Sequence, residues 1–140
     1  VYLKSIREDA SAAYSVGSYG FVSRSADRAF VQIVDQCPMD PNKSELALSL
    51  LDSGMKDCAK KIDADKVEKI KANMLKNLDE ELKTNGYWMS TIDEYLESGV
   101  DLYSGYRAAV EGLTPEKIAK FIQKVLDSKN HVQVVMLPEK

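Results

Sequence analysis

Apolar residues recur along this chain at helical spacing over most of its length. From Asn42 to Ile62, the residues Ala47, Leu51, Met55, Cys58 and Ile62 fall at steps of three and four, which puts them on one side of a helix. Gly54 interrupts that pattern at a cost of about 1 kcal/mol relative to alanine. Asp65 followed by Glu68 has the form of a capping box. It opens a long helix whose stripe is Val67, Ile70, Met74, Leu78 and Leu82. Either Asn85-Gly86 ends that helix or the helix runs on through it. Residues 87–98 continue helically, with Trp88, Ile92, Tyr95 and Leu96 apolar. A short helix is expected within 101–111. Thr114-Pro115-Glu116 then supplies an N-cap, a proline at the first helical position and an early acid. Ile118, Phe121, Ile122, Val125 and Leu126 follow at i, i+3, i+4, i+7 and i+8. Residues 1–10 also read as helix, with Tyr2, Leu3 and Ile6 forming the apolar face.

Three stretches have strand character. Residues 14–22 are rich in aromatic and β-branched types and admit a bulge at Gly17 or Gly20. Residues 28–35 form a second strand across a turn at Ser23–Asp27, so 14–35 reads as an antiparallel hairpin, ended by Pro38 and Pro41. Residues 132–137 form a third strand, which Pro138 stops. Clustered rather than alternating elements predict an α+β fold, an antiparallel β-sheet with helices packed on one face. A three-stranded sheet leaves an open edge. We therefore expect one α+β domain, or part of one, lacking its first strands and cut from a larger protein. A start at Val1 without a signal-like segment agrees with that expectation.

The chain has 140 residues, the length of one ordinary domain. With 19 basic and 22 acidic residues its net charge is −3, the wrong sign for a phosphate-backbone binder, so no nucleic acid is expected. No apolar run reaches the length of a membrane span. The single histidine, His131, and the two cysteines, Cys37 and Cys58, are too few for a zinc site within this chain. Phosphate-binding glycine motifs and the GxSxG nucleophile motif are absent.

Arg7 and Tyr14 form the one pairing with chemical interest. Arg7 falls near a helix end and Tyr14 at the start of the next strand, so both can project to one side. A guanidinium offers a fixed fork of donors and a tyrosine hydroxyl is a neutral donor. Together they could hold a peptide carbonyl and stabilise an oxyanion forming on it. The plainer reading is a surface arginine paired with Glu8 or Asp9 beside a half-buried tyrosine. On composition alone that plainer reading is favoured.

The segment Ile6-Arg7-Glu8-Asp9-Ala10-Ser11-Ala12-Ala13-Tyr14 resembles the Arg-Tyr segment of the pitrilysin and insulin-degrading-enzyme family of zinc peptidases. Asn85-Gly86-Tyr87-Trp88 is similar to an N-x-Y-W stretch of its bacterial members. Leu113-Thr114-Pro115-Glu116 resembles the family's LTPE helix start, and residues 130–138 its closing strand. The ordered set spans nearly the whole chain. The resemblance implies homologous α+β domains that pair to enclose a peptide or small-protein substrate. The catalytic zinc lies in another domain, on an inverted HxxEH motif that this chain lacks. This chain would then be a non-metal-binding C-terminal domain of a zinc metalloendopeptidase, partnered by the zinc-bearing half. Carried over, Arg7 would bind the substrate backbone and Tyr14 would be the catalytic residue that hydrogen-bonds the tetrahedral intermediate. The resemblance is of the type found in a bacterial envelope peptidase. The alternative within the family is an inactive structural or partner-binding domain, and outside it an unrelated α+β binding module.

The remaining candidates read as structural. His131 is expected in solvent or bonded to the backbone, and Cys37 and Cys58 read as packed or half-exposed thiols rather than a disulfide, a choice that rests on geometry and not on sequence. The helix-spaced aromatics Tyr87, Trp88 and Tyr95 are expected in the core. Tyr103 and Tyr106 are expected in a packed loop.

Overall fold

The computed structural model describes residues 2–25 and 28–138, and the side chains of Leu3 and Ser25 lie outside the description. The fold is α+β, with a two-stranded antiparallel sheet and helices packed against it. Strand β1 spans Gly17–Ser25 and β2 spans Arg28–Gln36. A helical segment over Leu3–Asp9 precedes them, and a 3-10 turn over Pro41–Lys43 follows. The helices are α1 (Ser44–Lys60), α2 (Ala64–Glu81), α3 (Asn85–Ser98), α4 (Tyr106–Glu111) and α5 (Pro115–Asp127). No helix among the described residues is long and apolar enough to cross a membrane.

The chain divides into two compact units. One comprises residues 1–21, 31–61 and 119–140, and the other residues 22–30 and 62–118. In the first, Ile6, Ala12 and Ala47 are fully buried together, with Tyr2, Val16, Cys37, Met39, Leu50 and Leu51 packed around them. In the second, α2 packs on α4, and Val67, Leu78 and Val110 are its buried apolar side chains.

Local chemistry accounts for the helix ends. Asp63, not Asp65, caps α2, its carboxylate accepting from the Asp65 N–H at 3.0 Å. Glu68, cast as the returning half of a capping box, instead pairs with Lys71 at 2.9 Å. The helix does not run on through Asn85-Gly86. Three consecutive turn bonds, from the N–H groups of Leu82, Lys83 and Thr84 to Leu78, Glu80 and Glu81, finish α2. Thr84 then caps α3, accepting from the Tyr87 N–H at 3.3 Å. Gly99 terminates α3 in the left-handed region at φ 71°, where a Cβ is strained. Thr114 caps α5 as the sequence suggests, accepting from the Lys117 N–H at 3.2 Å.

Several expectations are corrected. The first strand begins at Gly17 rather than Tyr14, which leaves Tyr14 in a loop, and it runs on through Ser25. The expected turn at Ser23–Asp27 is thus strand in its first half, and Ala26 and Asp27 lie outside the described residues. Residues 132–137 form no strand. A β-rich sequence becomes a strand only against an edge that takes its hydrogen bonds, and this one pairs with neither described strand. Its side chains stand exposed, Met136 at 91% and Val132 at 87%. The aromatics of α3 are not core either. Tyr95 is 54% exposed, and Trp88 lies at the surface against Tyr87 and Tyr103, at ring distances of 5.5 and 5.0 Å. The helical stripes are buried only in part, for Val67 and Leu78 are covered while Ile70 and Phe121 stay exposed, and the buried residue of α5 is Ala119, which lies off its predicted stripe.

Candidate functional site

Arg7 sits in the last turn of the Leu3–Asp9 segment. That segment is wider than an α-helix, for its closing bond runs from the Ala10 N–H to the Ser5 carbonyl, five residues back, at 3.2 Å. Ile6 points inward and is fully buried, so its neighbour Arg7 is turned to the surface. The chain then reverses. Ser11 takes a positive φ of 45°, and the Ala12 N–H donates to the Ile6 carbonyl at 2.9 Å. Ala12 is buried beside Ile6, and Tyr14 emerges two residues later with 83% of its surface exposed.

The outcome is a stack. The Arg7 guanidinium carbon lies 5.4 Å from the centre of the Tyr14 ring. A guanidinium over an exposed aromatic face gains about 0.5–1 kcal/mol. Among the described residues Arg7 forms no ion pair with Glu8 or Asp9, nor is Tyr14 half-buried, so both parts of the plainer reading give way to the stack. The loop fixes the pair although Tyr14 lies outside the strand.

A second segment backs this loop. Lys43 donates from its ammonium to the carbonyls of Ala10 at 3.2 Å and Ser11 at 3.0 Å. The Asp40 N–H donates to the Ala12 carbonyl at 3.0 Å, and Ala13 bridges to Met39 in antiparallel fashion. Nothing local to residues 7–14 announces those contacts. The usable signal was Pro38 and Pro41, which mark a rigid turn without saying what it rests on.

Tyr2, read only as part of an apolar face, lies near the same core. Its hydroxyl is within reach of Asp35 Oδ2 at 3.2 Å and of the Leu51 carbonyl at 3.0 Å. Burial, and then the charge and hydrogen bond of Asp35, push its ionisation well above the ordinary tyrosine range.

Cys37 and Cys58 are free and half-buried, and burial pushes the Cys37 thiol up. His131 is exposed after α5. Among the described residues no three His, Cys, Asp or Glu side chains converge as metal ligands. Tyr106 opens α4 rather than lying in a packed loop, and Tyr103 is exposed in the turn before it, where the Asp101 carboxylate accepts from the N–H groups of Tyr103 and Ser104. The Ser104 hydroxyl, and then those two backbone bonds, hold Asp101 below the usual carboxylate range. Comparison with protein-family models, curated proteins and solved structures finds no match for this chain.

Proposed function

We propose that this chain is a non-metal-binding C-terminal domain of a zinc-dependent endopeptidase, helping to enclose a peptide and lending Arg7 and Tyr14 to a composite active site. The observation that carries the reading is the exposed stack of Arg7 on Tyr14, in which two donors of different kinds share one small patch of surface. In this reading Arg7 binds a carbonyl of the substrate backbone. Tyr14 donates its hydroxyl to the oxygen on which negative charge develops as the peptide bond is attacked. The zinc belongs to another domain, and the residues here bind and orient the substrate.

The test is peptide hydrolysis by the intact protein that carries these residues, wild type against Tyr14→Phe. The change deletes one hydroxyl and keeps the ring that supports Arg7. A fall in kcat of about 10²-fold or more at unchanged thermal stability is expected for a lost oxyanion donor. Unchanged kinetics in an active protein would remove Tyr14 from the chemistry. An intact protein inert toward a broad peptide set would favour the structural or partner-binding role.

A further inference from the structure

Three carbonyls in succession, those of Ala10, Ser11 and Ala12, lie in the reversal between Arg7 and Tyr14, and all three accept hydrogen bonds from one other stretch of chain, residues 40–43. A single side chain, Lys43, takes two of them. It does so at the residue with positive φ, Ser11, where a non-glycine side chain is least at ease. Lys43 is itself fixed at the junction of the 3-10 turn and α1. Its N–H donates to the Asp40 carbonyl at 2.9 Å, while the Asp40 carboxylate accepts from the Asn42 N–H at 2.9 Å. Charge-assisted bonds of this kind are stronger than neutral ones. A cationic donor shared by two adjacent carbonyls resists opening of the turn better than solvent would.

We infer that Lys43 is a positioning residue for the Arg7–Tyr14 pair: by clamping the Ala10 and Ser11 carbonyls it sets the approach of the guanidinium to the ring. Its role in a reaction rests on the peptidase reading above, but its role in the geometry does not. The Lys43 ammonium bonds to the Ala10 and Ser11 carbonyls and to neither Arg7 nor Tyr14, so its action runs through the backbone between them.

The test uses the intact protein with Lys43→Met and Lys43→Arg. Nuclear magnetic resonance of arginine-labelled protein reads the pair directly, because the Tyr14 ring shifts the Arg7 side-chain signals upfield. Lys43→Met is expected to lose that shift while the melting temperature stays near the wild-type value, and Lys43→Arg, which keeps cationic donors, is expected to restore it. Where wild type hydrolyses peptide, kcat for Lys43→Met should fall on the order of tenfold, less than for Tyr14→Phe, with KM nearly constant. An unchanged Arg7 shift in folded Lys43→Met overturns the inference, whether or not the protein is a peptidase. A lost shift in a protein without activity upholds the positioning role and sinks the peptidase reading alone. If Lys43→Met does not fold, the wild type decides. Slow exchange of the Lys43 ammonium and its hydrogen-bond couplings to the carbonyl carbons of residues 10 and 11 are the expected signature, and a freely exchanging ammonium refutes the clamp.

Discussion

Gly54 shows how one residue can be set by a neighbour far off in sequence. It is buried within α1, and a Cβ built on it would lie 2.9 Å from Cδ1 of the Tyr2 ring and nearer still to the adjoining ring carbon. The roughly 1 kcal/mol that glycine costs a helix interior therefore makes room for an aromatic ring. Gly54→Ala should destabilise the protein by about 1–3 kcal/mol despite alanine's better helix propensity, as overpacking does; thermal or urea unfolding would read the sign, and stabilisation would refute the packing account. The same ring carries a pH prediction. Tyr2 ionises well above the ordinary tyrosine value in the folded protein because of burial and Asp35. Above pH of about 10 the unfolded chain loses this proton while the folded one keeps it, so stability present at lower pH is lost as pH rises. Because Tyr2 is only half-buried, its shift, and with it the width of the pH window over which stability is lost, is smaller than for a fully shielded group. Tyr2→Phe should flatten the alkaline limb of stability against pH, and an unaltered limb would refute the assignment.

At the scale of elements, Thr84 holds the joint between α2 and α3 from both sides. Its hydroxyl donates to the Glu81 carbonyl at 2.8 Å and accepts from the Tyr87 N–H at 3.3 Å. Thr84→Ala should cost about 1 kcal/mol, and faster hydrogen exchange at the Tyr87 amide than in wild type is the measurement that checks it. Helices were legible in this sequence for the same reason that this joint can be tested locally. Their stripes, caps and stop signals lie within a few residues of one another, as at Thr114-Pro115-Glu116. Residues 132–137 failed because strand formation depends on an edge elsewhere, and the described sheet gives them none. The Arg7–Tyr14 pair was legible as two residues that could meet. Its stacking was not, for it depends on a serine at positive φ and on a lysine thirty-two residues beyond Ser11. The aromatic stripe of α3 was misjudged because periodicity places Trp88, Ile92 and Tyr95 on one face without saying that anything covers it.

At the scale of the whole molecule, the proposed reading assigns the activation of water to another domain and gives this chain a part in holding a peptide. Its one histidine is exposed, its two cysteines are free and half-buried, and no acidic, histidine or cysteine side chains converge in threes among the described residues. Zinc held at an affinity useful for catalysis needs three protein ligands with an open fourth position. The Arg7 and Tyr14 donors can stabilise charge only after a nucleophile has been generated, which neither of them does. The purified 140-residue chain should therefore hydrolyse no peptide and retain well under one zinc per molecule after dialysis against metal-free buffer. Elemental analysis giving near-stoichiometric zinc would overturn this, and so would metal-dependent hydrolysis by the chain alone. Under the proposed reading, activity appears only when a zinc-bearing half is supplied, and it then depends on Tyr14. A supplied half that works equally well without this chain would leave the exposed stack with no part in catalysis.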